Sequence, residues 1–575
     1  MAGDGVIRGT TDTQRIEAPV TVKAYLMCAF AAFGGIFFGY DTGWMGGVLA
    51  MPYFIRQHTG MDYPADIYGT DITSDAYIAY KNSFHVSARD QSLMTSILTC
   101  GTFFGAIAAG DIADFIGCRP TIILGCGIFS VGAILQTASA TLAVMVVGRL
   151  IAGVGVGFIS AIIILYMSEI APKKVRGALV SGYQFCITIG ILLANCVVYA
   201  TQKRDDTGSY RIPIAVQFLW AIILATGLFF LPESPRFFVK KGKLEQAAKA
   251  LASVRGQPID SDYIQDELAE IIANHEYEMQ VIPQTTYLQG WANCFHGSIT
   301  KGSSNLRRTI LGIVLQMMQQ LTGINFIFYF GPVFFTTLGT IDNPFLISLV
   351  TTLVNVLSTP LAFWIIERFG RRRILIIGAT GMVVAQFIVG VIGVTAGAAG
   401  KKTEAAGVKA MIAFICINIS FFATTWGPSA WVVIGEIFPL PIRSRGVGLS
   451  TASNWFWNCI IAVIAPYLVG TEKGQANLGA KIFLMWGALC CISLAFAYFL
   501  VPETKGLSLE QVDKMLEETT PRTSNKWVPH STFAAEMHLA EKGITIAKRP
   551  TTATSAGRAN EVDVVTSTKE DVEAV

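Results

Sequence analysis

Twelve apolar stretches, each near or above twenty residues, recur along this 575-residue chain, and no other feature restricts its fold as strongly. At 1.5 Å per residue, about 20 residues of helix cross the roughly 30 Å hydrocarbon core of a bilayer. Inside that core every backbone polar group needs an internal partner, which leaves helices or a closed barrel. Barrel strands take only about 10 residues, so segments of this length are helices. The segments run over 25–49, 91–113, 120–140, 142–167, 178–201, 212–231, 308–338, 343–366, 374–397, 409–435, 446–469 and 479–501. With 52% hydrophobic and 14% charged residues, a soluble chain is excluded, and the expected class is an all-α membrane protein in contact with lipid. An even number of spans places both termini on one side. Lys173, Lys174, Arg176, Arg368, Arg371, Arg372, Arg373, Arg443 and Arg445 cluster there and assign that side to the cytoplasm.

The chain repeats itself. Asp114-Phe-Ile-Gly-Cys-Arg119 returns as Glu367-Arg-Phe-Gly-Arg-Arg372, at an offset of 253 residues. Glu169-Ile-Ala-Pro-Lys-Lys-Val-Arg176 returns as Glu436-Ile-Phe-Pro-Leu-Pro-Ile-Arg443, and Pro232-Glu-Ser234 as Pro502-Glu-Thr504, at offsets of 267 and 270. Three matched pairs in one order describe two pseudo-symmetric six-helix halves. The expected organisation is an N-terminal tail over 1–24, one half over 25–231, a cytoplasmic linker over 232–307, the second half over 308–501 and a tail over 502–575. Helical spacing of Leu244, Ala247, Ala248 and Leu251, and of Ile264, Leu268 and Ile271, predicts short amphipathic helices in the linker. Ser508-Leu-Glu-Gln511 has the pattern of a capping box and opens a helix to about Glu518, with disorder expected beyond about 520.

Gln316-Met-Met-Gln-Gln-Leu-Thr-Gly-Ile-Asn325, inside the seventh apolar segment, carries four amides. An unpartnered amide in hydrocarbon costs a few kcal/mol, so these groups face protein or a cavity. At about 100° per residue, Gln316, Gln319, Gln320 and Gly323 share one helical face, while Asn325 points away. Either Asn325 bonds a different neighbour, or the helix loosens at Gly323 and swings it toward the same cavity. Trp426-Gly-Pro-Ser-Ala-Trp431 interrupts the tenth segment in a similar way, and Asn454-Trp455 opens the eleventh. An indole presents a flat apolar face and one donor, suited to a sugar ring.

Two charges lie inside the spans. Asp41 and Arg149 both fall about 10–12 Å below the outer surface at 1.5 Å per residue. Either one alone costs about 3 kcal/mol or more near the bilayer centre, so pairing is expected. Two roles fit: a permanent bridge between helices, or a carboxylate whose proton affinity changes as Arg149 moves. Asp114, Glu169, Arg176, Glu436 and Arg443 sit at inner helix ends, where acid and base can break and re-form contacts as the halves move, or simply anchor them.

The remaining chemistry is sparse. Six scattered histidines and eleven cysteines mostly inside spans offer neither a metal site nor a disulfide framework. Gly153-Val-Gly-Val-Gly157 lies within a span, where small residues admit a neighbouring helix rather than a dinucleotide. No phosphate-binding Gly-Lys-Ser/Thr loop is present, and a net charge of +3 gives no reason to expect nucleic acid. No catalytic constellation is found, so an enzyme is not expected, and no cofactor is called for.

Taken together, Gly148-Arg149-Leu, Glu169 to Arg176, Pro232-Glu-Ser-Pro-Arg236, Gln319-Gln-Leu-Thr-Gly-Ile-Asn325, Glu367-Arg-Phe-Gly-Arg-Arg372 and Pro502-Glu-Thr-Lys-Gly506 resemble the sugar porters of the major facilitator superfamily. The resemblance is close to fungal high-affinity glucose (monosaccharide)–proton symporters and extends over about Ala24 to Glu510. It implies a plasma-membrane carrier working by alternating access, with a monosaccharide, D-glucose first, as substrate and a proton as coupling ion. It implies that Gln184, Gln319, Gln320, Asn325, Asn355 and Asn454 bind sugar hydroxyls, with Trp426, Trp431 and Ile187 lining the pocket. Asp41 would accept the proton, held by Arg149. Glu169, Arg176, Glu436 and Arg443, with Asp114 and the Glu367/Arg371 loop, would form the inner gate. The first-half loop departs from the family pattern at Phe115 and Cys118, which shifts the expected lock toward the second-half copy. An uncoupled facilitator and a carrier-like sugar sensor are the alternatives.

Overall fold

The computed structural model describes residues 6–7, 19–63, 67, 80, 84–281, 287–302, 304–337, 344–397, 405–470, 475–530, 532 and 544–545. Ten of its helices are long and apolar enough to cross a membrane, and two bent pairs bring the number to twelve. Spans 1 to 6 are Val22–Leu49, Ala88–Ile116, Cys118–Ala138, Leu142–Ile170, Lys173–Thr201 and Gly208–Leu228. Span 7 is Asn305–Gln320 with Ile324–Gly331, bent by 45°, and span 8 is Phe345–Ser358 with Leu361–Phe369, bent by 43°. Spans 9 to 12 are Arg371–Thr395, Ala406–Glu436, Arg443–Val469 and Gly479–Leu500.

Several of these ends follow from local chemistry. Span 2 starts three residues earlier than its apolar pattern suggests, because the Ser87 hydroxyl accepts from the Asp90 amide and caps it. Spans 2 and 3, and spans 8 and 9, are joined through single glycines, Gly117 at φ 100° and Gly370 at φ 84°. A side chain is strained in that region of backbone space. Each glycine also faces a glutamate: a Cβ would lie 2.6 Å from Glu233 at position 117 and 2.4 Å from Glu503 at position 370.

Packing follows the small residues. A Cβ on Gly153 would lie 2.2 Å from the Leu98 carbonyl, and one on Gly157 would lie 2.5 Å from that of Thr102. These glycines therefore let span 4 pack closely against span 2, as membrane helices do where small residues meet. Spans 1 and 5 cross in the same manner, with Gly35 and Gly39 against the Tyr183 and Ile187 carbonyls. The outward faces carry exposed apolar residues such as Phe104, Val131, Ile222, Ile377 and Ile492, as expected of a surface solvated by lipid.

The duplication is visible in hydrogen bonds. Glu233 accepts from the amides of Cys118 and Arg119 at 3.1 and 3.0 Å, and Glu503 from those of Arg371 and Arg372 at 2.9 and 3.2 Å. The Ser234 hydroxyl donates to Glu169, and that of Thr504 donates to Glu436 at 2.6 Å.

Among the described residues the linker has four helices: Pro235–Lys240, Leu244–Arg255, Asp262–Val281 and Tyr287–Cys294. Val239, Ala248, Leu251, Ile264, Leu268 and Ile272 give it a small apolar core of its own. The last helix, Leu509–Glu518, opens on a complete capping box of Ser508 and Gln511. Disorder is expected beyond about 520, and most of that stretch lies outside the described residues. Residues 520–530 fold back, with Ser524 Oγ accepting from the Glu503 amide at 2.9 Å and Trp527 Nε1 donating to Glu518 at 2.6 Å. Farther along, Ile544–Thr545 pairs antiparallel with Val6–Ile7; most of the remaining tail lies outside the described residues. Linker and C-terminal helix share one end of the bundle, called here the terminal face.

Candidate functional site

The four amides of span 7 converge. The chain leaves helical geometry at Leu321–Gly323, where Gly323 adopts φ 77°, and resumes at Ile324 with the axis turned by 45°. The indole of Trp486 fills the space beside Gly323, since a Cβ there would lie 2.5 Å from its ring. Gln386 donates to the Thr322 carbonyl at 2.7 Å, satisfying one backbone group that the break exposes. This turn brings Asn325 round to Gln320, to which its amide donates. The second of the two arrangements open to the sequence is the one adopted.

Span 11 supplies the other side. Asn454 Nδ2 donates to Gln316 Oε1 at 2.6 Å and to Gln319 Oε1 at 2.7 Å, while its Oδ1 accepts from Gln320 Nε2 at 2.8 Å. Asn458, one turn on, donates to Gln320 at 3.3 Å. Gln319 Nε2 bonds the Trp426 and Gly427 carbonyls at 3.1 and 2.9 Å, at the break in span 10. Three spans of the second half thus join in one buried polar network.

The first half closes over it. Gln184 of span 5 approaches Gly427, where a Cβ would lie 3.2 Å from its Nε2. Tyr183 meets Trp431 edge-on at 5.7 Å, and Phe38 meets Trp455 at 4.8 Å. Ile187, one turn from Gln184 on span 5, is buried against Gly39. Trp426 is fully buried and its indole N–H is taken by the Leu375 carbonyl at 2.8 Å. Only its ring face remains for a ligand, not the donor that sequence reasoning allowed it. Asn355 of span 8 is buried, its Oδ1 has no partner among the described residues, and it forms no hydrogen bond with the network.

Asp41 and Arg149 lie deep in the first half, at 1% and 2% exposure, but they form no direct ion pair. Trp44 comes between them. Its ring lies under the Arg149 guanidinium at 5.1 Å, and its Nε1 lies 3.4 Å from Asp41 Oδ1. Arg149 Nε donates to the Met94 carbonyl at 2.6 Å. With its amide turned to satisfy both neighbours, Gln217 of span 6 donates to Asp41 at 3.0 Å and accepts from Trp44 at 2.8 Å. Equal depth did not bring direct contact, because Trp44 follows Asp41 by three residues and shares its helical face. Asp41 Oδ2 and Arg149 Nη1 have no hydrogen-bond partner among the described residues.

At the terminal face the second-half copy is the more fully paired. Arg371 bridges Glu436 at 2.9 Å and Glu367 at 3.4 Å. The repeat puts Cys118 where Arg371 stands, so Glu169 is bound by Ser234 and, through its carbonyl, by Arg236 at 2.8 Å. Asp114 pairs with Lys240 of the linker at 2.8 Å rather than with a gate residue. Arg176 donates to the Leu507 carbonyl at 3.3 Å, and Arg443 to that of Phe438 at 2.9 Å. Neither arginine forms an ion pair with the glutamate seven residues before it, and among the described residues Arg176 Nε and both Nη atoms of Arg443 are buried without a hydrogen-bond partner. Glu367 also accepts from the Ala178 amide at 2.9 Å and so ties the two halves.

Sequence reasoning missed a second tie between the halves. Arg445 of span 11 pairs with Asp111 of span 2 at 2.8 Å. Tyr287 and Trp291 of the linker donate to the same carboxylate at 2.7 and 3.1 Å. Arg236 and Glu510, at 2.7 Å and nearly buried, join the linker to the C-terminal helix. Burial works to raise the Glu510 pKa, yet the Arg236 guanidinium outweighs it and holds the carboxyl at about 2. The opposite face is closed as well: Ser92 donates to the Val463 carbonyl at 3.0 Å, and Gly46 abuts the Tyr329 carbonyl. The polar network is therefore enclosed between inter-half contacts on both faces.

A twelve-span bundle of two equivalent halves around one buried polar site is the architecture of the major facilitator superfamily. The sugar (and other) transporter family matches residues 27–516, and the chain belongs to that family. Its members are transporters, not enzymes. Relatives include the major facilitator-type transporter ecdD of Aspergillus rugulosus, 44% identical over 91% of this chain and 93% of that protein. The low-affinity glucose transporter HXT1 of Saccharomyces cerevisiae is 36% identical over 90% and 86%. The high glucose sensor RGT2 of the same yeast is 39% identical over 92% of this chain but only 65% of its own length. The proton:xylose symporter XylE, solved with 6-bromo-6-deoxy-D-glucose, shares the fold at a TM-score of 0.69 and 24% identity, covering 86% of this chain and 99% of its own.

Proposed function

We propose that this protein imports hexoses, D-glucose first, across the plasma membrane by alternating access, with a proton carried in the same direction. The observation that carries the sugar site is the network of Gln316, Gln319, Gln320, Asn325 and Asn454 at the break of span 7. Side-chain amides offer both donors and acceptors, which is what a ring of hydroxyls needs. Each amide bonded to another amide exchanges that bond for a hydroxyl, so no buried polar group is stranded when the sugar arrives. Gln184 and Ile187 approach from the first half, Trp431 of span 10 lines the same pocket from the second, and Asn355 turns in as the halves rearrange. The names of the relatives, glucose transporters among them, support the substrate class. The basic residues of the terminal face support placing both termini in the cytoplasm.

The proton site is Asp41, whose charge is balanced by Arg149 through Trp44 and Gln217. The gate comprises Glu169, Arg176, Glu367, Arg371, Glu436 and Arg443, with Asp114 supporting it through the linker. The test is counterflow of labelled D-glucose in vesicles of the purified protein. The expected result is saturable counterflow in which Asn454→Ala raises KM about tenfold, the cost of roughly 1.4 kcal/mol in a lost charge-free hydrogen-bond set. Saturable counterflow with KM unchanged in Asn454→Ala would place the sugar elsewhere.

The likeness to a glucose sensor favours one second reading, a carrier-like receptor that binds sugar without moving it. Binding with no counterflow would select that reading.

A further inference from the structure

At the terminal face, the start of span 7, the end of span 12 and the C-terminal helix line a small cleft open to solvent. Its walls are of two kinds. Leu311, Leu500 and Leu516 are apolar, and Leu500, on the outer surface of span 12, is 49% exposed. Arg307 and Arg308 line the other side.

The arginines are not fully matched by the protein. Arg308 is 3% exposed and pairs with Asp513 through Nη1, yet its buried Nε has no partner. Among the described residues Arg307 reaches only a carbonyl, that of Thr300 at 3.3 Å, with no carboxylate in ion-pair range. Arg522 follows Pro521 of the cleft wall. Its guanidinium lies over Phe499 at 5.0 Å and Tyr498 at 5.5 Å, beside Leu500, again without a carboxylate partner among the described residues. Arg372 lies over the same tyrosine at 5.5 Å. Tyr498 and Phe499 are about half exposed on the last turn of span 12.

Cations stacked on lipid-facing aromatic rings at a span end, beside an apolar wall, match an anionic amphiphile: phosphate to the guanidiniums, acyl chain along the leucines. We propose that this cleft binds the headgroup of an anionic phospholipid, held by Arg307, Arg308 and Arg522. Arginine suits the task because its planar fork of donors fits phosphate oxygens. A soluble phosphate would satisfy the arginines alone; the adjoining exposed Leu500 and Phe499 favour the lipid. The inference depends on the membrane spans and not on sugar transport.

The test is native mass spectrometry of the full-length protein released from detergent micelles supplied with phosphatidylserine or phosphatidylcholine. The expected result is preferential retention of phosphatidylserine, reduced about fivefold in Arg307→Gln and about fivefold in Arg522→Gln, the weight of one interfacial cation. Lys409→Gln, on a cation remote from the cleft, should leave retention as in the unmodified protein. Arg308 is left in place because its partner Asp513 is buried. Equal retention of the two lipids would overturn the proposal, as would preference unchanged in both variants. Inorganic phosphate displacing the lipid at equal concentration would also overturn it, since the site would then recognise free phosphate.

Discussion

At position 323 two requirements coincide. A residue there must tolerate φ 77° and must leave room for Trp486, whose ring lies 2.5 Å from where a Cβ would be. Gly323→Ala violates both and should cost about 1–3 kcal/mol, read as a lower unfolding midpoint of the detergent-solubilised protein. The same change straightens span 7 and turns Asn325 away, so KM for sugar should rise even where the protein folds. Trp44 and Gln217 are a different lesson. Trp44 shares the helical face of Asp41, but the approach of Gln217 from span 6 and Arg149 from span 4 depends on the rotation of three helices about their axes, which a one-dimensional pattern leaves open. Asp41→Asn should abolish accumulation of sugar while leaving exchange intact. Loss of both from a protein correctly inserted would identify the Asp41 cluster as a structural tie instead.

Among elements, the carboxylates that cap spans 3 and 9 were legible only as a repeated Pro-Glu-Ser/Thr triplet. The sequence could not say that each one accepts two backbone amides at the start of a neighbouring span. Glu233→Gln and Glu503→Gln each replace a charged acceptor by a neutral one and should each cost about 1–2 kcal/mol, measured by thermal unfolding. Similar losses are expected at the two sites because their geometry is duplicated. The C-terminal helix was readable from its capping box, but its docking was not, because Arg236 lies 274 residues from Glu510. The sign of that docking's pH dependence follows from Glu510, whose folded pKa of about 2 lies below its ordinary 4.5. Its contribution is fully present above pH 4.5 and is lost as pH falls through about 2. Proteolytic protection of the Leu509–Glu518 helix should therefore persist at pH 5 and fail near pH 2.

For the whole molecule, length and periodicity gave the spans, and repetition gave the halves. What they could not give was the seam between halves, since Asp111 and Arg445 have no sequence signal linking them. That seam closes the terminal face together with Ala178 and Glu367. Arg445→Gln should shift the population toward a state open at that face. Apparent sugar affinity should then rise from the terminal face and fall from the opposite face, each by about three- to tenfold, in oriented vesicles. Equal KM on both faces with a lower maximal rate would make the pair a simple anchor.

The central claim is that the movement of sugar is driven, not merely permitted. One charge moving through 100 mV releases about 2.3 kcal/mol, enough for an accumulation of several tens of fold. The direct measurement is the steady inside-to-outside ratio of a labelled, non-metabolised hexose in cells lacking other carriers, before and after a protonophore. The account predicts a ratio well above one that collapses to one when the proton gradient is dissipated. A ratio that settles at one from the start would contradict it.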